Sequence, residues 1–429
     1  MKFAVKNLGC KVNDYETESV ASMMEQQGYE RTGFDESTDI ALIFTCAVTN
    51  TAAAKSRQMI NRARKKNPDA VIVVAGCYAQ IDPEALKTAD ILVGSAHKKQ
   101  IPEYVGKYLA ERSRIRDVHP IGVTPFEELR MERFPEQTRA YLKIQDGCNQ
   151  FCTYCVIPYA RGRERSMDPD LAVSETKAIA ANHHEIVLTG IHTGRYGREY
   201  GITLAGLMER MLDSTKDLER LRISSIEVTE LDDHFLELLH SSSRIARHLH
   251  IPLQSGSDSV LKRMGRPYTT DEFYEKIEQI RKNDPDISIS TDLIVGFPGE
   301  SEEEFEETYS FLKKCRFSFL HVFPYSMRDG TAAAAMKGQI SPRVKKKRAA
   351  ACAALSAELY DSYKSGWIGR TCEVMIETSE NGYSFGHSSE YLPVRIAGEC
   401  EKGVIEEVMI TKLEDHQLFA ERRRNYAVK

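Results

Sequence analysis

The sequence contains no apolar run approaching the roughly 20 residues that a membrane-spanning helix requires. It shows no charged-then-apolar leader, because Met1-Lys2-Phe3-Ala4-Val5 runs straight into a β-favouring segment. It also lacks an excess of positive charge: 58 Lys and Arg face 63 Asp and Glu, for a net charge of −5. That balance argues against a uniformly basic nucleic-acid binder but leaves room for local basic patches, which set the footprint. Such clusters occur at Lys55 to Lys66, at Arg161, Arg163 and Arg165, at Arg343 to Arg348, and at Arg422-Arg423-Arg424. With 41% hydrophobic and 28% charged residues, disordered and membrane classes drop out. The 429 residues suffice for two or three domains with real cores. Without an export signal, ten cysteines imply a reducing cytoplasm, where thiols serve metals or cores rather than disulfides.

The most informative stretch is Gly147-Cys148-Asn149-Gln150-Phe151-Cys152-Thr153-Tyr154-Cys155, which follows the short β-favouring run Ala140–Ile144. Three thiols within eight residues of one loop can grip one soft metal centre, either zinc or an iron–sulfur cluster. A structural zinc site wants four ligands, and no fourth Cys or His lies nearby. Three ligands leave one metal position open, as in a site that binds something.

Upstream, residues 1–112 alternate β-favouring and helical segments, with apolar runs at Phe3–Val5, Ile40–Phe44, Val71–Ala75 and Ile91–Val93. That rhythm predicts a small doubly wound parallel α/β domain. Cys10, Cys46 and Cys77 follow the first three runs. Loops after the carboxyl ends of parallel strands share one edge of the sheet, where ligands bind. Three buried structural thiols are the plain alternative, but equivalent positions at three strand ends favour a second cluster with an open iron. Residues 113–137, rich in proline and charge, read as a linker.

In residues 138–364, five further β-like runs follow the first: Ile186–Leu188, Leu221–Ser224, Leu249–Ile251, Ile287–Val295 and Phe319–Phe323. Helical segments alternate with them, and six βα units predict an open (βα)6 partial barrel with its chemistry in the loops after the strands. Polar strand-end loops place Thr189, Gly190, Glu227, Gln254 and Gly296 as candidate contacts to a nucleoside cofactor, with Tyr154 from the cysteine loop. The alanine-rich segment from 341 reads as a helical spacer. Residues 365–429 turn to period two, with five short strands that predict a small closed β-barrel of the oligonucleotide-binding kind. Cys315, Cys352, Cys372 and Cys400 share no spacing and read as core thiols.

The Cys148–Cys155 motif, extended by Asn149, Ile157-Pro158 and Arg161-Gly162, resembles the radical S-adenosylmethionine (radical SAM) enzymes. Combined with three early cysteines and a terminal β-barrel, the whole chain resembles the methylthiotransferases of that superfamily. The resemblance implies two 4Fe–4S clusters, one held by Cys148, Cys152 and Cys155 and an auxiliary one held by Cys10, Cys46 and Cys77. It implies S-adenosyl-L-methionine as cofactor and a terminal TRAM domain. Leu8-Gly9-Cys10-Lys11-Val12-Asn13, Thr45-Cys46-Ala47-Val48-Thr49-Asn50 and Leu188 to Gly194 look like the branch that methylthiolates threonylcarbamoyladenosine in tRNA. Other branches act on isopentenyladenosine in tRNA or on a ribosomal-protein aspartate. One departure is the absence of the Gly-Gly-Glu that many radical SAM enzymes carry after the second strand; Thr189-Gly190 stand there. Partners implied are the tRNA anticodon stem-loop, an electron donor such as flavodoxin or ferredoxin, and a sulfur source. The unpaired anticodon-loop base suits recognition by splaying out. Because a threonylcarbamoyl group carries a carboxylate, its pocket needs a cation, for which Arg161 and Arg195 are the candidates.

Overall fold

A computed structural model describes residues 1–131 and 137–423 of the chain. The first domain is a six-stranded, all-parallel sheet of β1 (Lys2–Asn7), β2 (Glu30–Arg31), β3 (Ile40–Thr45), β4 (Val71–Gly76), β5 (Ile91–Val93) and β6 (Ile115–Asp117), in the order β2-β1-β3-β4-β5-β6. β3 and β4 lie at its centre, and every residue in both is buried. This is why their sequences are continuous apolar runs rather than alternating ones. β6 falls within the segment read as a linker, so the first domain extends to at least Asp117. Helices Lys11–Gln26 and Asn50–Lys66 are among the crossovers. The second is capped by Thr49, whose side chain accepts the Ala52 amide at 3.1 Å.

The second domain holds β7 (Arg139–Lys143), the small ladder of β8 (Gln145–Asp146) and β9 (Arg165–Ser166), then β10 (Glu185–Thr189), β11 (Arg220–Ile223), β12 (His248–His250), β13 (Ser288–Val295) and β14 (Phe319–Pro324). β7, β10 and β11 form one parallel sheet and β12, β13 and β14 another; a parallel bridge between Leu221 and Ile245 joins the two. Among the described residues no ladder closes β14 onto β7, so the six strands make an open barrel, as the repeat predicts. The acidic run from Glu300 opens helix Glu302–Cys315, where Ser301 and Glu304 form a reciprocal capping box. Helix Pro342–Ser365 is more than a spacer. Its Cys352 and Leu355 enter the barrel core, and Arg348 is buried in an ion pair with Glu300 at 2.7 Å.

β15 (Thr371–Glu380), β16 (Tyr383–Ser388), β17 (Pro393–Ala397), β18 (Ile405–Glu414) and β19 (Gln417–Arg422) close into the expected five-stranded barrel. It docks on the starts of the core strands. Arg139, Glu185 and Arg220 open β7, β10 and β11 side by side, and Glu185 receives Arg139 at 3.2 Å, Arg220 at 3.1 Å and Arg222 at 2.7 Å. The spare donors reach the terminal barrel: Arg222 donates to the Ser388 and Ser389 carbonyls at 3.1 and 3.0 Å, and Arg139 pairs with Glu377. The terminal barrel therefore sits at the strand ends opposite to the cysteine loop. No helix among the described residues is long and apolar enough to cross a membrane.

Candidate functional site

Cys10 precedes helix Lys11–Gln26, Cys46 follows β3, and Cys77 opens a short helix directly after β4. All three therefore lie at the carboxyl edge of one parallel sheet, and their sulfurs sense one another's charge. The turn into Cys77 needs a glycine. Gly76 has φ +104°, and a Cβ there would sit 2.9 Å from the Thr45 carbonyl oxygen.

The second triad occupies the loop after β7. Thr189 ends β10 and Gly190 follows it, Glu227 follows β11, Gln254 follows β12 and Gly296 follows β13. The sequence-predicted contacts thus gather at one end of the barrel. Among the described residues no three His, Cys, Asp or Glu side chains converge closely enough to hold a single metal ion. Sulfurs of both triads instead face hydrogen-bond donors. The Gln150 amide points at Cys148 Sγ and the Ile157 amide at Cys155 Sγ, both at 3.4 Å. Arg266 donates to Cys152 Sγ at 3.4 Å, and His192 Nδ1 lies 3.5 Å from Cys148 Sγ. Arg161 Nε donates to Cys77 Sγ at 3.2 Å. Donors aimed at sulfur favour thiolates, and such hydrogen bonds tune iron–sulfur clusters. Burial opposes the free thiolates, pushing Cys46 up to about 11 and Cys155 up to about 12. A bound metal would supply the missing positive charge. The donor set fits a cluster at each triad.

Several partners of this site escape a reading of the sequence. His192 lies inside the Thr189–Gly194 loop, its backbone held by Gln145 Oε1 at 2.7 Å and its Nε2 paired with Glu230 at 2.8 Å. Burial lowers its pKa, but the contacts with Cys148 and Glu230 outweigh it and raise the value to about 10. Arg266 bridges Cys152 to Glu227, which places Glu227 beside the cluster loop. Tyr154 is half-buried edge-on to Phe297. Gln254 is held left-handed at φ +68°, its amide donating to the Asp292 carbonyl. Thr189 is buried, and Gly190 is tight, since a Cβ there would lie 3.0 Å from Gln145 Cβ. At Gly296 the Lys345 side chain occupies the space a Cβ would take, so a contact to the cofactor there is left to the backbone.

Arg161 is also corrected as a cation for substrate. It is fully buried, and its guanidinium is committed to Glu16 at 2.8 and 3.0 Å, Asp146 at 3.2 Å, Asn13 at 2.6 Å and the Cys77 sulfur. Lys143 reaches Glu16 at 2.7 Å and Asp146 at 2.8 Å, and Lys98 lies 3.4 Å from Glu16. Burial would raise the Glu16 pKa, but Arg161, Lys143 and Lys98 hold it well below the usual carboxylate range. This network fastens the first domain to the second. Arg195 is taken as well, in a two-point pair with Glu164 at 3.1 Å.

The basic clusters thin out similarly. Arg62 and Arg64 pair with Asp35 and Asp90, while Lys55 and Lys65 remain exposed. Arg422 and Arg423 pair with Glu406 and Glu407, and Arg424 lies outside the described residues. At the cysteine loop, exposed Arg163 covers Phe151 at 4.7 Å, and Phe151 meets the exposed Tyr159 edge-on at 5.7 Å.

Comparison with known proteins defines the class first. Residues 142–312 match the Radical SAM superfamily, and residues 2–94 match the family described as uncharacterized protein family UPF0004. The fold is similar to that of the radical S-adenosylmethionine methyltransferase TsrM from Kitasatospora setae, with a TM-score of 0.59 at 14% identity over 78% of this chain and 77% of that one. The chain is 44% identical over 421 residues to the threonylcarbamoyladenosine tRNA methylthiotransferase MtaB of Bacillus subtilis (strain 168), covering 95% of this chain and 93% of that protein. It is 32% identical over 414 residues to the tRNA-2-methylthio-N(6)-dimethylallyladenosine synthase of Pelotomaculum thermopropionicum, covering 93% and 92%. The chain belongs to the radical SAM tRNA methylthiotransferases. As such it is an enzyme whose family implies S-adenosylmethionine, a 4Fe–4S cluster and a tRNA substrate.

Proposed function

We propose that this enzyme methylthiolates C2 of the adenine in N6-threonylcarbamoyladenosine beside the anticodon of tRNA. The observation that carries this is the 44% identity, over nearly the whole of both chains, to a relative named for that substrate, against 32% to one named for dimethylallyladenosine. In this reading Cys148, Cys152 and Cys155 hold the radical SAM cluster, while Cys10, Cys46 and Cys77 hold a second, auxiliary 4Fe–4S cluster. When bound, S-adenosylmethionine at the first cluster would supply the radical needed to break an adenine C–H bond, and the auxiliary cluster would hold the sulfur or methylthio group that becomes attached. The chain's own residues orient these groups. Arg266 and His192 donate toward the Cys152 and Cys148 sulfurs, and Arg161 toward that of Cys77. Tyr154, Thr189, Gly190, Glu227 and Gln254 surround the cofactor at the strand ends. Exposed Phe151 and Tyr159 offer flat faces to unpaired anticodon-loop bases. A flavodoxin- or ferredoxin-like protein supplies electrons, a separate donor supplies sulfur, and the enzyme works in the cytoplasm.

The test is nucleoside analysis of tRNA from cells with and without the gene. Loss of 2-methylthio-N6-threonylcarbamoyladenosine, with its unmethylthiolated precursor accumulating, is expected. Loss of the isopentenyl counterpart instead would reassign the branch.

A further inference from the structure

With Arg161 and Arg195 both committed to carboxylates of the protein itself, a substrate carboxylate needs another cation. A cavity of about 480 Å³ runs along the open side of the barrel, and all three domains wall it. Its size suits a small-molecule fragment. One part of the wall is a stack of flat rings. Tyr391 lies between His248, at 5.2 Å and 24°, and His387, at 4.8 Å and 29°. Arg139 and Arg222 also lie over the Tyr391 ring, at 5.4 and 5.0 Å, so its faces are taken up within the protein. Several charged and polar groups elsewhere in the wall are engaged. His250 bridges Ser290 at 2.9 Å and Asp292 at 3.3 Å. Arg222 is spent on Glu185 and on two carbonyls of the terminal barrel.

Lys11 is a cation of that wall with no such partner. It lines the same cavity from the first domain, directly after Cys10. Among the described residues no hydrogen bond or ion pair engages its ammonium. Its charged neighbours are two further cations, Arg222 and Arg139, and two carboxylates: Glu185, already shared among three arginines, and Asp14, which accepts from Asn7. A half-buried ammonium without a counter-ion, beside other cations, is a place where an anionic group gains more than it would in water.

We propose that Lys11 is the specificity-determining residue that receives the carboxylate of the threonylcarbamoyl group. This rests on the substrate reading above and adds the residue that enforces it. A neutral isopentenyl group would leave the Lys11 ammonium desolvated and unpaired, which penalises the wrong substrate as well as favouring the right one.

The experiment uses the reconstituted full-length enzyme, wild type and with Lys11→Met or Lys11→Arg. Iron content and the visible spectrum are recorded first, to verify the clusters beside Cys10. Binding is then measured at one salt concentration to three anticodon stem-loop RNAs, bearing threonylcarbamoyladenosine, its threonine-amide analogue, or plain adenosine. Wild type should bind the carboxylate form roughly 10- to 100-fold more tightly than the amide, the range of a hydrogen bond to a charged group. Lys11→Met should bind the two alike, with its affinity for the plain adenosine RNA unchanged, and Lys11→Arg should recover the preference. Equal weakening on all three RNAs, or a preference that survives in Lys11→Met, would overturn the Lys11 assignment alone. A wild type indifferent to the threonylcarbamoyl group would overturn the substrate reading, and this assignment with it.

Discussion

Arg161 Nε donates to Cys77 Sγ at 3.2 Å across the boundary between the first two domains. Arg161 ends the short helix Ile157–Arg161 that follows the Cys148–Cys155 loop, so one guanidinium ties the loop of one cysteine triad to a sulfur of the other. Its remaining donors bind Glu16, Asp146 and Asn13, all buried. Removing one partner from a buried ionic network is costly because charges are left uncompensated. Arg161→Leu should lower unfolding stability by about 3–5 kcal/mol and cost the protein the iron at the first-domain triad. Arg161→Lys should keep charge but be unable to serve all four partners, giving an intermediate stability. Denaturant melts with iron analysis check this; unchanged iron in Arg161→Leu would contradict it.

The two triads should behave as separate sites. Changing Cys148, Cys152 and Cys155 to Ala should leave about half the iron, as one of two like clusters would, and abolish cleavage of S-adenosylmethionine. Changing Cys10, Cys46 and Cys77 should also halve the iron, yet spare that cleavage while ending sulfur insertion. Wild-type iron in the second variant would rule out an auxiliary cluster.

Stability should fall between about pH 4.5 and pH 7 through Glu175. Burial raises its pKa to about 7 against an ordinary 4.5, although the hydrogen bond from Tyr15 at 3.1 Å works the other way. A carboxyl whose folded value is raised holds its proton in the native state after the unfolded chain has lost it. Stability therefore drops with rising pH across that window and levels off above it. Glu175→Gln should flatten the decline, as measured by melting temperature against pH. A slope identical to wild type would exclude this carboxyl as its source.

Phe151 and Tyr159 should contribute to tRNA binding by stacking. Replacing either with Ala should weaken binding by about 1–3 kcal/mol with little change in salt dependence, whereas Arg163→Ala should lower the salt slope by about 0.7–0.9. Point variants suit this better than deleting the terminal barrel. A chain ending near residue 364 would strip Arg139 and Arg222 of Glu377, Ser388 and Ser389, exposing the base of the core. Filter-binding titrations at several salt concentrations check both effects; equal salt slopes for Arg163→Ala and wild type would deny it a phosphate contact.

The sequence made the strands and thiols legible because each carries a local signal. Buried parallel strands are continuous apolar runs, and Cys10, Cys46 and Cys77 follow theirs directly. The terminal barrel was legible for the same reason, since its alternation has period two. What stayed hidden is pairing between distant residues. Nothing near Arg161 announces that Glu16 lies 145 positions away in sequence but 2.8 Å away in space. Nothing near Lys11 shows that it lines a cavity with no hydrogen bond or ion pair to its ammonium among the described residues. The helix Pro342–Ser365 was read as a spacer because alanine gives no amphipathic stripe, although Cys352, Leu355 and Arg348 all turn inward. Arg266 had no motif around it, and only the fold brings it to Cys152.

The substrate assignment is tested most directly by offering the reconstituted enzyme, with S-adenosylmethionine, a reductant and a sulfur source, three otherwise identical tRNAs bearing threonylcarbamoyladenosine, isopentenyladenosine or adenosine beside the anticodon. Mass spectrometry of the digested nucleosides is the readout. The expected result is a methylthio product from the threonylcarbamoyl tRNA and little from the other two. Equal turnover on all three, or a product from the isopentenyl tRNA alone, would contradict it.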